Sequence, residues 1–142
     1  MSRNPVEIRS YDDGDAAGVL SLWGEELFDP APHNDPELAL KQKLSVDREL
    51  LLVATCSGQV VGTVMGGWDG HRGWIYSVAV RCDFRREGIG TRLVLQMETL
   101  LRERGCLKLN LQVRTSNLQV IAFYESLGFR QDAVVSLGKR LY

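Results

Sequence analysis

The sequence has no apolar run approaching the ~18 residues that a membrane-spanning helix needs, and no charged-then-apolar leader at its start. Both absences lead to the expectation of a cytoplasmic protein with no membrane partner. Cysteine is scarce: Cys56, Cys82 and Cys106 are odd in number and widely spaced, which argues against a disulfide framework and against a zinc site. They are read as reduced packing residues, and no metal is expected. Histidine occurs only at His33 and His71. Lysine and arginine are missing altogether between Ser10 and Leu40, a stretch that holds Asp12, Asp13, Asp15, Glu25, Glu26, Asp29, Asp35 and Glu37. The other ten acidic residues stand against all 17 basic ones, so the net charge of −1 conceals a division into −8 and +7. That distribution excludes a uniform basic face for nucleic acid. The acidic stretch either coats exposed helices or borders a site for a cation, and its composition leaves both open. Repeats, linkers and low-complexity segments are absent too, so residues 1–142 are expected to form one domain, large enough to bury roughly 68–70% of the unfolded surface.

The periodicities predict a mixed α/β chain of about seven strands and four helices. Val6 to Tyr11 alternates apolar and polar residues, as a half-buried strand does. Asp12 or Asp13 can cap a helix carrying Ala16, Val19, Leu20, Trp23 and Leu27 at helical spacing, and Asp35-Pro36 opens a second helix. Leu50 to Cys56 and Gln59 to Gly67 form a hairpin across Ser57-Gly58, and the Asp69-Gly70 turn leads into Gly73 to Val80. A third helix, with Ile89, Leu93, Met97, Leu100 and Leu101 on one stripe, starts near Gly88 and stops before Gly105. Leu107 to Val113 follows as a strand, reached by a right-handed parallel crossover inside an otherwise antiparallel sheet. The fourth helix runs from Asn117 to Gly128, and Phe129 to Val135 and Leu137 to Tyr142 complete the strands.

Between the strand ending at Val80 and the third helix, Arg85 to Gly90 read Arg-Arg-Glu-Gly-Ile-Gly. Glycines at that spacing let backbone approach a ligand, and a helix N-terminus leaves its first N–H groups unpaired, an arrangement that suits a diphosphate. Thr91-Arg92 follows Gly90 where a P-loop needs Lys then Ser or Thr, and Gly-x-Gly-x-x-Gly is absent, which excludes both better-known phosphate loops. Alone, the turn is equally a plain glycine turn before a helix. Further on, Asn117 to Phe129 places Tyr124 seven residues after Asn117, on nearly the same helix face, and closes with Gly128-Phe129.

Together the two segments resemble the GNAT superfamily of acetyl-CoA-dependent N-acetyltransferases: the first its pyrophosphate motif, Gln/Arg-x-x-Gly-x-Gly/Ala, the second its asparagine-to-tyrosine helix and closing Gly-Phe. The resemblance implies a central, mostly antiparallel mixed sheet flanked by helices, and acetyl-CoA as cosubstrate. It implies that backbone N–H groups of Arg86, Glu87, Gly88, Ile89, Gly90 and Thr91 hold the pyrophosphate. Arg81, Arg85 and Arg92 would add positive potential, and Ser77, Val78, Ala79 and Val80 would lie along the pantetheine arm as β-augmentation. The backbone N–H near Val78 then becomes the oxyanion donor. Tyr124 becomes the general acid, its phenol of ordinary pKa ~10 well matched to a thiolate leaving group, with packing in an apolar stripe as the alternative. Asn117 caps its helix and, on the resemblance, also touches the cofactor.

The general base departs from the family pattern. Trp74 stands where many members carry glutamate, and no carboxylate lies between Gly70 and Arg81. Candidates are a water chain ending on Asp69, His71, Glu25 or Glu26, imidazole being the side chain that titrates near neutrality. His71 reads first as a turn residue and His33 as a loop residue beside two prolines. A covalent route through Cys82 is disfavoured because neither histidine has a nucleophile beside it. Trp23, Trp68, Trp74 and Tyr76 are candidate pocket walls or core. In family members the first two helices border the acceptor, which sets Glu25, Glu26, Asp29 and Asp35 where a cationic amine would enter. The expected activity is acetyl transfer to a primary amine of a small molecule, polyamine or peptide. The alternatives are a catalytically weak acetyl-CoA sensor and a phosphate-ligand protein of another kind. A homodimer is compatible with all three.

Overall fold

The computed structural model describes residues 3–27 and 29–142. They fall into two compact units, Met1–Leu111 and Gln112–Tyr142. The first holds a single sheet of β1 (Val6–Ser10), β2 (Leu51–Cys56), β3 (Gln59–Trp68), β4 (Gly73–Val80) and β5 (Leu109–Asn110). Strands lie in sequence order, antiparallel throughout except for the β4–β5 pair. Ser57 and Gly58 join β2 to β3 with φ of 51° and 78°, the two left-handed residues that a type I′ turn requires.

Helices α1 (Ala16–Glu26) and α2 (Pro36–Val46) cover one face of this sheet. Val19, Leu22 and Trp23 of α1 and Leu40 of α2 pack on Leu51, Val53, Val60 and Ala79. Helix α3 (Ile89–Glu103) covers the other face with Leu93, Met97 and Leu101, all but inaccessible to solvent. Burial of each such side chain contributes about 1.5–3 kcal/mol. Gly66 of β3 lies under α3, where a methyl group would collide with the Met97 thioether, so the close approach of helix and sheet depends on that glycine. Asp12 and Asp15 cap the turn into α1 reciprocally, Asp15 accepting the Asp12 N–H at 2.8 Å and a two-pronged bond from Arg9 at 2.8 and 2.9 Å. That guanidinium holds the Asp15 carboxyl below its ordinary pKa. Asp35 caps α2, with Pro36 at its first position. Lys43 is buried, which pushes its ammonium pKa down, and donates to the Gly66 carbonyl one residue beyond the start of the β2–β3 pairing.

The second unit contains α4 (Leu118–Ser126), capped by the Asn117 side chain, which accepts the Val120 N–H at 3.3 Å. Gly128, at φ 97°, ends it: Phe129 N–H bonds the Tyr124 carbonyl at 3.1 Å and Gly128 N–H bonds that of Glu125 at 3.0 Å, the Schellman pattern.

Three expectations are corrected. Among the described residues the sheet has five strands rather than about seven: no strand forms at 129–135 or 137–142, and the segment from Leu107 to Val113 pairs only at Leu109–Asn110. A strand exists where a ladder partner takes its backbone groups. Apolar residues alone do not supply that partner, and Val134, Val135, Leu137 and Leu141 are exposed. Cys82 is exposed rather than packed, while Cys56 is buried and Cys106 intermediate.

Candidate functional site

The turn after β4 gets its shape from two left-handed residues. Arg81 leaves the strand, Cys82–Phe84 make one 3-10 turn, Arg86 sits at φ 64°, and Gly88 at φ 78°, ψ 9° is the N-cap of α3. Gly88 offers no capping side chain, and the first helical bond runs from Arg92 N–H to the Gly88 carbonyl at 3.0 Å. The N–H groups of Ile89, Gly90 and Thr91 therefore have no partner within the helix, and they carry the positive end of its dipole. A Cβ at Gly88 would meet nothing within 4 Å, so open space lies beside those donors. Arg85 pairs with Glu26 at the end of α1, and Arg92 donates to the Val6 carbonyl at 2.9 Å.

The strand that delivers the chain to this turn is irregular. Met65 pairs with Tyr76 and Thr63 with Ala79, so Ser77 and Val78 both stand opposite Val64. The extra residue is a β-bulge, with Ser77 at φ 52°. It moves the buried side of β4 from Ile75, paired with Gly66 over α3, to Ala79 in the α1 core. On its other edge β4 pairs with β5 only at Gly73 and Trp74, and from Ile75 to Val80 no strand of the described residues pairs with it there.

Trp74 and Tyr76 stack on one side of β4, with ring centroids 6.5 Å apart and planes 23° from parallel. Glu25 is exposed, while Asp29 accepts the Ala31 N–H at 2.8 Å and the Asn34 amide at 3.0 Å. Asp69 accepts the N–H groups of His71 and Arg72, which makes this segment the expected hairpin turn. In the second unit Tyr124 is buried, edge-on to Phe123 at 5.0 Å and to Phe129 at 5.5 Å. Burial pushes its phenol pKa up to about 12.

A family model described as the acetyltransferase (GNAT) family matches residues 16–129. An acetyltransferase of Yersinia enterocolitica is 46% identical over 136 residues, which cover 96% of each chain. The chain belongs to the GNAT acetyltransferase family. Among solved structures, Ard1 from Thermoplasma volcanium superimposes with a TM-score of 0.79 at 30% identity, over 90% of this chain and 84% of that one. AAC(6')-Iy, solved with the bisubstrate analogue CoA-S-monomethyl-acetylneamine, has a TM-score of 0.79 over 96% and 99% of the two chains. At 17% identity the second likeness speaks for the GNAT fold alone.

Within the first unit the GNAT turn, Arg85 to Thr91, directly continues the strand of Val78, Ala79 and Val80, and Trp74 and Tyr76 lie on the same strand. Glu26 is joined to the turn through Arg85, Asp29 accepts the Ala31 N–H and Asp35 accepts the Leu38 N–H. Asn117 and Tyr124 share α4 and its cap in the second unit. Sequence reasoning missed Thr63. Its hydroxyl, wholly buried, accepts from Trp23 Nε1 at 2.8 Å and donates to the Ser77 carbonyl at 2.9 Å, tying the α1 core to the bulge. The available signals are a lone serine inside an apolar strand and a threonine flanked by valines and glycine in its neighbour. Thr63→Val keeps the volume but leaves Trp23 N–H and Ser77 C=O unpaired. It is expected to lower unfolding free energy by about 2–3 kcal/mol in denaturant titrations. Thr63→Ser, which keeps the hydroxyl, is expected to retain more of the wild-type stability.

Proposed function

We propose that the protein transfers an acetyl group from acetyl-CoA directly to a primary amine, as one transferase domain spanning both units. The observation that carries this reading is an uncapped helix start behind Gly88 that directly follows a strand edge, Ile75 to Val80, without a ladder partner among the described residues. A pyrophosphate suits the first and a peptide-like arm suits the second. Residues 86–91 would hold the pyrophosphate through backbone N–H groups, and Ser77 to Val80 would pair with the arm. Acetyl-CoA, when bound, supplies the acyl group as an activated thioester. Val78 N–H, beside the bulge, would donate to the acyl oxygen. Tyr124 would keep a proton on its phenol oxygen, ready for the departing sulfur, and Asn117 would add a cofactor contact from the cap of the same helix. The family match, which runs from α1 to Phe129, supports treating residues 1–142 as one working unit.

For the acceptor we favour a cationic amine walled by Trp74 and Tyr76. Glu25 is exposed and Asp35 accepts the Leu38 N–H, whereas Arg85 pairs with Glu26. Acceptor kcat/KM is expected to fall as salt rises, because charges beyond about 8–10 Å are screened at physiological ionic strength. Glu25→Gln, Asp29→Asn and Asp35→Asn should raise KM for the acceptor more than for acetyl-CoA. Glu26→Gln should act more on the cofactor side. A preferred acceptor that is anionic, or insensitive to salt, would make the acidic stretch a solvated surface.

Trp74, in the place of the glutamate that many family members carry, favours one second reading: an acetyl-CoA-binding module with little turnover. Calorimetry with acetyl-CoA, followed by a screen for free-thiol release across amines, amino acids, polyamines and peptides, separates the two. Binding without release for any acceptor would favour the module, and absence of binding would sink both.

A further inference from the structure

A carboxylate sits in the middle of a turn otherwise arranged for an anion. Glu87 lies between left-handed Arg86 and the N-cap Gly88, where an uncompensated negative charge would repel a diphosphate. Its partner comes from far away in sequence. Arg3, ahead of β1, pairs through Nε with Glu87 at 3.1 Å, donates from its guanidinium to the Asp83 carbonyl, and lies over the Phe84 ring at 4.0 Å from the centroid. Phe84 itself is buried and gives this contact a fixed floor. The contacts fall on both sides of Arg86, whose φ of 64° is unfavourable for a residue with a side chain. The same segment is fastened to α3 by Arg92, which donates to the Val6 carbonyl at 2.9 Å.

We propose that Arg3 is a positioning residue of the cofactor turn, neutralising Glu87 and holding residues 83–87 in the shape that leaves the α3 donors open. The proposal rests on the acetyl-CoA reading above. The planar fork of arginine matters as much as its charge: a guanidinium stacks on a ring, bonds a carbonyl and meets a carboxylate at once, while a lysine ammonium is a point charge. Arg3 acts through Glu87 and the turn backbone, and no contact between Arg3 and the cofactor is required.

The test is calorimetric titration of the full chain with free coenzyme A, with melting temperature measured alongside. Arg3→Ala is expected to weaken binding roughly five- to tenfold at low salt, a loss that shrinks towards ~1 M salt, where the screening length is about 3 Å. Arg3→Lys should fall between Arg3→Ala and wild type. Adding Glu87→Gln to Arg3→Ala should recover most of the lost affinity, because the repelling charge is gone; a purely structural role for Arg3 would not respond to that change. Wild-type affinity in Arg3→Ala overturns the proposal and leaves the cofactor reading standing. A loss that Glu87→Gln does not relieve, and that follows a fall in melting temperature, also overturns it. A wild-type protein that fails to bind coenzyme A overturns the cofactor reading, and this proposal with it.

Discussion

Gly90→Glu is expected to abolish coenzyme A binding, by at least about 100-fold in Kd or roughly 2.7 kcal/mol, while leaving the circular-dichroism spectrum of the wild type. Gly90 is the second residue of α3, and its N–H is one of the donors that the helix leaves unpaired. A carboxylate attached there would bring negative charge and bulk to the place where a pyrophosphate needs donors. Gly90→Gln separates the two contributions, since it adds the bulk without the charge, and should lose less. Gly88→Glu adds a second penalty, for a side chain at φ 78°. Gly88→Ala isolates it: nothing within 4 Å obstructs the new methyl group, so the cost is conformational, about 1–2 kcal/mol of stability. Calorimetry on all four variants, each checked for fold, makes the measurement. Unchanged affinity in both glutamate variants would remove the turn from the cofactor site.

Tyr124→Phe deletes one hydroxyl and is expected to lower kcat roughly 10²-fold or more, with acetyl-CoA affinity close to wild type, if the phenol protonates the departing thiolate. The raised pKa adds a second, acceptor-independent arm. A group whose folded pKa lies above its unfolded one contributes stability that is complete below the unfolded value and is lost as pH rises through the folded value. For Tyr124 that window runs from ~10 to about 12 and is worth roughly 2–3 kcal/mol. Denaturant titrations of the wild type should lose that stability across the window, and Tyr124→Phe should lack this part of the slope. Since the phenol stays protonated through pH 10, no alkaline limb from Tyr124 is expected in the rate profile below that pH. A variant that turns over at the wild-type rate where chemistry is limiting would return Tyr124 to plain packing between Phe123 and Phe129.

Local chemistry was legible in the sequence and long-range pairing was not. Ser57-Gly58 announces a two-residue hairpin because few other residues take two successive positive φ values, and the structure has it. Asn117 and Gly128 mark the ends of α4 by the same logic of caps. The glycine turn before α3 was legible because Gly88 supplies a backbone conformation, which depends on residue type alone. Thr63, by contrast, acts through Trp23, 40 residues away in sequence, and Ser77, 14 away. Nothing in a threonine's own neighbourhood announces such a relay. The Glu26–Arg85 pair was hidden for the same reason: the charge count placed Glu26 in an acidic stretch, and only the fold brings α1 to the turn. The last two predicted strands failed differently, since apolar residues between Phe129 and Tyr142 suggest extended chain but cannot specify a ladder partner.

The two-residue contact between β4 and β5 has a thermodynamic consequence. A parallel ladder that stops at Trp74 leaves the backbone of Ile75 to Val80 without that contribution to cohesion, and a ligand bonded along this edge would supply what a third pair, a fourth and so on would have supplied. Mass action then makes ligand concentration a variable of state for the fold itself: at 100 times Kd the folded form gains about 2.7 kcal/mol over the unfolded one. With the cosubstrate seated along this edge as proposed, a strand left half-zipped would turn the cosubstrate level around the protein into part of its heat resistance.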